Sequence, residues 1–345
     1  MKRKWLTGGV LAIFLAGMLL GCGQKGDSAV DAANSAEIGE TEEDEESPQE
    51  SQEATVRVGA LKGPTSMGMV FLMDQQEDKE NQYEFTMVTA ADELLTQMAK
   101  GELDVALIPA NTAAVLYQKT EGEIAAVDIN TLGVLYVVTG DESLDSMEKL
   151  AGKTLYLTGK GTTPDYALQY LLKAYGVTDV TLEYKSEAAE VAAVLQNDPQ
   201  AVGVLPQPFA TVACAQNDKL KVAMDLTEVW DQIQDEGGSR LVTGVTVMTK
   251  DFLEQYPDQA RQFLKDHEES TDQINEDPET GAKLVAEAGI VEQEAIARQA
   301  IPYCNITCIS GGEMKTALEG YLETLYELNP ESVGGAMPEE DFYFE

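Results

Sequence analysis

The chain carries one supersecondary unit twice, and that doubling limits its fold more than any single motif does. In the first copy an extended run, Thr55 to Leu61, breaks at Gly63-Pro64 and resumes at Thr65-Ser66 as the apolar segment Met67 to Met73, read as a buried helix. In the second, Lys153 to Thr158 is strand-like, Gly159-Lys160-Gly161 is a loop, and Thr162-Thr163-Pro164-Asp165 opens a helix with proline suited to its first turn. Ala167, Tyr170, Leu171 and Ala174 follow at helical spacing, with Gly176 at a C-cap position. The correspondence continues without a gap: an offset of 97 lays Glu93 on Glu190, Leu94 on Val191, Met98 on Leu195, Val105 on Val202 and Pro109 on Pro206. Strand, helix, strand, helix, strand, helix, twice over, implies mostly parallel sheets covered by helices.

A tight turn from strand into helix leaves backbone N–H groups and the positive end of the helix dipole above the strand, a setting that receives a polar or anionic group. Thr65 or Ser66 suits the N-cap, and Gly63 allows close approach to the backbone. The third strand of each half ends in a proline loop, Ile108-Pro109-Ala110-Asn111 and Leu205-Pro206-Gln207. In open α/β sheets ligands sit outside the carboxyl ends of the strands, where these loops lie. The candidate ligand contacts are therefore Lys62, Gly63, Thr65, Ser66, Thr89 and Asn111 from the first half, with Lys160, Thr162, Thr163, Gln207 and Thr243 from the second half and the strand that leaves it. No loop carries two arginines, which argues against bidentate capture of a dicarboxylate or phosphate. Tyr136, Phe209 and Trp230 are assigned to the core, so a small sulfonate, carboxylate or similar polar metabolite ranks above a stacked heterocycle.

A chain of 345 residues accommodates two domains. Its first 22 residues read as a leader: Lys2, Arg3 and Lys4 precede an apolar run, Val10 to Leu20, and Leu19-Leu20-Gly21-Cys22 resembles a bacterial lipobox, in which Cys22 receives lipid. The run is short for a membrane span. Residues 23–54 hold almost no large apolar side chain and eleven acids, a composition that cannot bury enough surface to fold and reads as an extended tether. A formal net charge of −38 argues against nucleic-acid partners and against adhesion to an anionic membrane face. Cys214, Cys304 and Cys308 are expected as free thiols. His267 sits in Lys265-Asp266-His267-Glu268-Glu269 and is expected on a solvated helix face. With one histidine no zinc site is expected, and without a second histidine or a Gly-x-Ser-x-Gly elbow no enzyme is.

Two further strand-like runs, Leu132 to Val138 and Leu241 to Met248, lead into and out of the second half. Helices are predicted at Asp258 to Asn275, Pro278 to Ala288, Glu292 to Ala300 and Gly312 to Leu328. A domain entered and left by separate segments suggests two crossovers acting as a hinge.

The lipobox, the acidic tether, Val56-Arg-Val-Gly-Ala-Leu-Lys-Gly-Pro-Thr-Ser-Met-Gly68, Leu205-Pro206-Gln207-Pro208-Phe209, Ile301-Pro302-Tyr303-Cys304-Asn305-Ile306 and Leu328-Asn329-Pro330 together resemble the substrate-binding lipoproteins of ABC importers. The group nearest in pattern is the nitrate, sulfonate/taurine and thiamine-precursor cluster. The resemblance implies a type II periplasmic-binding-protein fold: two α/β lobes, residues 55–135 with 246–345 and residues 136–245, joined by two crossover hinge segments and closing on a ligand. It implies a monomer anchored through Cys22 on the outer face of the cytoplasmic membrane of a Gram-positive cell, passing a small anionic or polar solute to a permease and its ATPase, with no cofactor and no metal. A thiamine-precursor pyrimidine as ligand, or a sensory role without transport, is the alternative.

Overall fold

The computed structural model describes residues 55–76, 82–234 and 238–345. The leader with Cys22 and the acidic segment through residue 54 lie outside the described residues. Eleven strands among the described residues fall into two sheets. The first sheet contains β1 (Val56–Leu61), β2 (Tyr83–Val88), β3 (Val105–Pro109) and β4 (Ile124–Leu132); the second contains β5 (Leu135–Thr139), β6 (Thr154–Thr158), β7 (Thr181–Lys185), β8 (Val202–Pro206) and β9 (Lys221–Asp225). The chain then returns to the first sheet with β10 (Val242–Thr249) and β11 (Ile306–Ser310).

The orders are β11-β4-β10-β3-β1-β2 and β7-β6-β8-β5-β9. In each sheet the repeated unit gives three parallel strands with its first strand in the middle: β2-β1-β3 and β7-β6-β8. Each trio is then extended by strands paired antiparallel to their neighbours, β10, β4 and β11 in turn beyond β3, and β5 and β9 beyond β8. The sheets are thus mixed rather than mostly parallel. The strand added next to each trio is the one that has just crossed from the other half, and it enters from the opposite end of the sheet. The run Leu132 to Val138 is two strands rather than one, because hydrogen bonding passes from the first sheet to the second at Gly133-Val134. Apolar periodicity does not register a change of sheet.

The four late helices form close to expectation, at Pro257–Glu276, Pro278–Glu287, Glu294–Ala300 and Gly311–Leu328. The last of these buries Met314, Leu318, Tyr321, Leu322 and Leu325. Its side chains join an apolar cluster that includes Ile129 and Val245 of the first sheet and Leu155, Leu168 and Trp230 of the second lobe. Hydrophobic burial therefore ties the lobes together along this helix.

The segment after β1 is less regular than its sequence suggests. Pro64–Met69 forms a 3-10 helix and only Val70–Asp74 an α-helix. Its central part is apolar and enclosed, Met67 and Met69 having no exposure at all and Val70 and Leu72 almost none. Ser270, from Pro257–Glu276, donates its hydroxyl to Gly68 O at 2.6 Å and accepts the Leu72 N–H at 3.1 Å. On the other side Gly244 of β10 lies so close that a Cβ there would stand 2.4 Å from Thr65 Cγ2. The loop is clamped between sheet and helix.

Candidate functional site

The carboxyl ends of β1, β3 and β8 open on a cavity of about 810 Å³ between the lobes. Lys62, Gly63, Pro64 and Thr65 form one wall with Pro109, Asn111 and Thr112; Thr162, Thr163 and Pro164 face them from the second lobe, with Pro206, Gln207 and Phe209. Thr243 and Leu241 line the crossover side, and Ile290, Val291 and Ile296 close over the mouth. The two walls already touch. Thr163 Oγ1 donates to Asn111 Oδ1 at 3.1 Å across the cleft.

Eight of the eleven sequence candidates line this cavity: Lys62, Gly63, Thr65, Asn111, Thr162, Thr163, Gln207 and Thr243. Ser66, Thr89 and Lys160 fall outside its lining. Ser66 is fully buried and donates its hydroxyl to Gly63 O at 3.0 Å. Thr89 is exposed beyond the end of β2. Lys160 turns outward, its Nζ 5.4 Å from the centre of the Tyr184 ring.

The expected anion receivers take a different form. Neither Thr65 nor Ser66 caps a helix; Thr65 Oγ1 points to Leu61 O at 3.5 Å, and the position before the 3-10 helix is Gly63. At the second loop the acceptor is internal. Asp165, buried, accepts the Gly161 N–H at 2.8 Å, the Gln169 amide at 2.7 Å and the Tyr184 hydroxyl at 2.7 Å. This carboxylate already serves the positive end of the helix Thr163–Ala174. Burial, together with the Asp165 carboxylate, pushes the Tyr184 hydroxyl pKa up, so it stays a donor.

Most side chains around the cavity are aliphatic, aromatic or proline, and of its lining residues only Lys62 and Glu292 carry charge. Lys62 Nζ lies 3.4 Å from where a side chain on Gly289 would begin, which places its charge beside the Ile290 to Ile296 cover. Gln207, 3% exposed, accepts the Thr211 hydroxyl at 2.8 Å. Of the three aromatics assigned to the core, Tyr136 and Trp230 are buried, whereas Phe209 is 37% exposed at the cavity. Sequence reasoning missed Phe209 and the whole Ile290 to Ile296 cover. Position directly after the Pro206 loop was a signal for Phe209; for the cover, which lies far along the chain, there was none.

The three cysteines among the described residues are free thiols, Cys304 buried and Cys214 and Cys308 half-buried. Burial pushes the Cys304 thiol up to about 12. His267 is not on a solvated face. It is wholly buried against Asp128.

With this geometry in place, the comparisons decide the family. A family model described as menaquinone biosynthesis matches residues 56–327. The chain belongs to that menaquinone-biosynthesis family. Solved structures with the same fold include an ABC transporter from Parabacteroides distasonis (27% identity, TM-score 0.72, 85% of this chain and 99% of that one). The periplasmic aliphatic sulphonate binding protein SsuA from Escherichia coli matches at 15% identity and TM-score 0.67, over 84% of this chain and 92% of its own. A ligand-binding component of an ABC-type import system from Staphylococcus aureus, with zinc bound, matches at 17% identity and TM-score 0.60, over 84% and 96%. No curated protein matches. The two-lobed periplasmic-binding-protein fold and the kinship with ABC-importer binding proteins, both expected from the motifs, are thereby established for this family member. No helix among the described residues is long and apolar enough to cross a membrane.

Proposed function

We propose that the protein is the extracytoplasmic substrate-binding component of an ABC importer, and that it captures an organic solute with an apolar body and one anionic or strongly polar group. The observation that carries this is the cavity itself. A volume of about 810 Å³ is far larger than a nitrate or sulfate ion needs and falls in the range of cavities that enclose drug-sized organic molecules. Its apolar lining supplies the hydrophobic contribution, while Lys62, Asn111, Thr163 and Gln207 orient one head group. A single lysine suits a monoanion such as a sulfonate or carboxylate. The exposed face of Phe209 favours a second ligand type, an aromatic or heterocyclic body.

The family description favours a biosynthetic enzyme as the competing reading. The cavity speaks for capture rather than turnover: no histidine, cysteine or aspartate lines it, which leaves Lys62 and Glu292 as its only charged side chains. Asn111 and Thr163, joined across the walls, support closure on the ligand. Membrane attachment through Cys22 and delivery to a permease with its ATPase complete the proposal, with residues 55–135 and 246–345 as one lobe and 136–245 as the other.

A thermal-shift panel of aliphatic and aromatic sulfonates, carboxylates and pyrimidines tests it, because a ligand at a hundred times its Kd adds about 2.7 kcal/mol. Hits should share an apolar body and be recovered unchanged after incubation. Chemical conversion of a hit would establish an enzyme instead. For the anchor, Cys22→Ala should release the protein from membranes; continued lipid labelling would refute that assignment.

A further inference from the structure

In the first lobe, behind the clamped loop, three side chains of different chemistry meet. Asp128 stands on β4, His267 on the helix Pro257–Glu276 and Cys308 on β11. His267 Nδ1 lies 3.1 Å from Asp128 Oδ2 and 4.0 Å from Cys308 Sγ, and the three ligand atoms all fall within 4.8 Å of one another. The pairing of β11 with β4 is irregular between Ile306 and Ile309. A bulge of this kind re-aims a side chain, and Cys308 falls inside it.

We propose that Asp128, His267 and Cys308 form a binding site for a thiophilic divalent cation, Zn²⁺ foremost. Carboxylate oxygen, imidazole nitrogen and thiolate sulfur are all zinc ligands, and the mixture disfavours Mg²⁺ and Ca²⁺. Zinc bonds of about 2.0 to 2.3 Å set tetrahedral ligand atoms roughly 3.2 to 3.8 Å apart. The Asp128–His267 pair is already near that span, and Cys308 must approach by about 1 Å to complete it. Asp128 is oriented from behind by Thr246, whose hydroxyl donates to Oδ1 at 2.7 Å. With Nδ1 on the metal the proton sits on Nε2, which, like the Thr271 hydroxyl, borders the space beside Gly68. Both atoms are buried without a hydrogen-bond partner among the described residues. The carboxylates of Glu268 and Asp272 add negative charge around Cys308. Cys308 is half-buried, the least enclosed of the three, and a water would supply the fourth zinc position. None of the three residues lines the cavity, so the site braces the lobe rather than touching the solute.

The test uses the purified protein, stripped with a chelator and kept reduced with a phosphine, then titrated with Co²⁺ and displaced with Zn²⁺. One equivalent of Co²⁺ should give a thiolate-to-cobalt charge-transfer band with tetrahedral d–d absorption, and Zn²⁺ should abolish both. Cys308→Ser should remove the band and weaken Zn²⁺ binding by at least about tenfold, since even loss of an outer-shell partner costs that much. Cys304→Ala and Cys214→Ala should leave it intact. Asp128→Asn, which keeps the shape and the Thr246 contact, should also weaken Zn²⁺ while circular dichroism stays unchanged. No charge-transfer band at saturating Co²⁺, or a band that survives Cys308→Ser, would overturn the proposal.

Discussion

Gly244→Ala isolates the close approach that sets the ligand-facing loop in place. The new Cβ would stand 2.4 Å from Thr65 Cγ2, 2.5 Å from Asn130 Oδ1 and 3.2 Å from Thr65 Cβ. Carbon atoms in good contact sit about 3.5 to 4.0 Å apart, so Thr65 or the strand must move by roughly 1 Å. Neither moves freely. Gly244 pairs with Pro109 on one side and Thr131 on the other, and the Pro64–Met69 segment is held from behind by Ser270. Overpacking of such a site costs about 1 to 3 kcal/mol, a large share of the roughly 5 to 15 kcal/mol that a domain has. Urea unfolding followed by circular dichroism should show a lower midpoint with an unchanged slope. Thr65→Ser removes the clashing methyl while keeping the hydroxyl, so the double variant should recover at least about 0.5 kcal/mol in a mutant cycle. A Gly244→Ala protein as stable as the parent, or a cycle with no coupling, would refute the clamped-loop account. Because Thr65 lines the cavity, the same variant should weaken any hit from the ligand panel more than its loss of stability alone would.

Three further outcomes follow from buried groups. Cys304, held up at about 12 by burial, should resist thiol reagents at pH 8 in the native protein and react once urea unfolds it; fast native labelling assigned to Cys304 would contradict its placement. Burial also raises Tyr117 to about 12, with help from Asp341. Both folded-state values lie above the ordinary values of 9.0 and 10.0, so their contribution is complete below about pH 9 and is lost as the unfolded chain gives up those protons between about pH 9 and 12; the urea midpoint should fall across that window. Phe342→Ala removes a buried ring packed edge-on against Tyr117 at 5.2 Å and Tyr343 at 5.1 Å, and should cost about 3 to 5 kcal/mol by equilibrium unfolding.

The architecture was legible because the repeated unit writes it in local signals. Short apolar runs ending at Gly63, Gly159, Pro109 and Pro206 are strands with their loops on one edge, and the offset of 97 makes the two trios alike. What escaped reading depended on partners distant in sequence. Lys265-Asp266-His267-Glu268-Glu269 looks solvated because helical patterning credits only apolar side chains to the buried face. In the fold that face is polar: Asp266 accepts the Tyr83 hydroxyl at 2.6 Å, His267 meets Asp128, and Ser270 meets Gly68. Likewise the loop at Thr162 reads as an anion receiver until Asp165 is seen to face back onto Gly161. The apolar character of the cavity, which favours the proposed ligand with an apolar body, comes from residues scattered along the chain, Phe209, Ile290, Val291 and Ile296 adding to Leu61, Val134, Leu135, Val212 and Leu241.

If the lobes close as proposed, two interlobe contacts of unequal strength set the manner of closure. At the cavity the walls share the Thr163–Asn111 hydrogen bond, a contact that contributes about 0.5 to 1.5 kcal/mol net. Outside the cavity lining lies a seam in which Trp230, fully buried, packs against Tyr321 at 5.8 Å and Tyr170 at 4.5 Å, while Asn329 donates its amide to the Tyr166 hydroxyl at 2.6 Å. Fully uncovering a tryptophan costs about 4 to 6 kcal/mol, from roughly 150 to 250 Å² at about 25 cal/mol per Å². Opening should therefore break the contact at the cavity and keep the seam as its pivot. With Trp5 replaced by phenylalanine, Trp230 emission should stay blue and shielded from acrylamide whether or not a hit from the ligand panel is bound. A fluorophore on Gln293→Cys, at the cavity cover, should respond to the same ligand. A red-shifted, quenchable Trp230 in the ligand-free protein would show that the seam parts, and would move the pivot to the crossovers at Gly133 and Leu241.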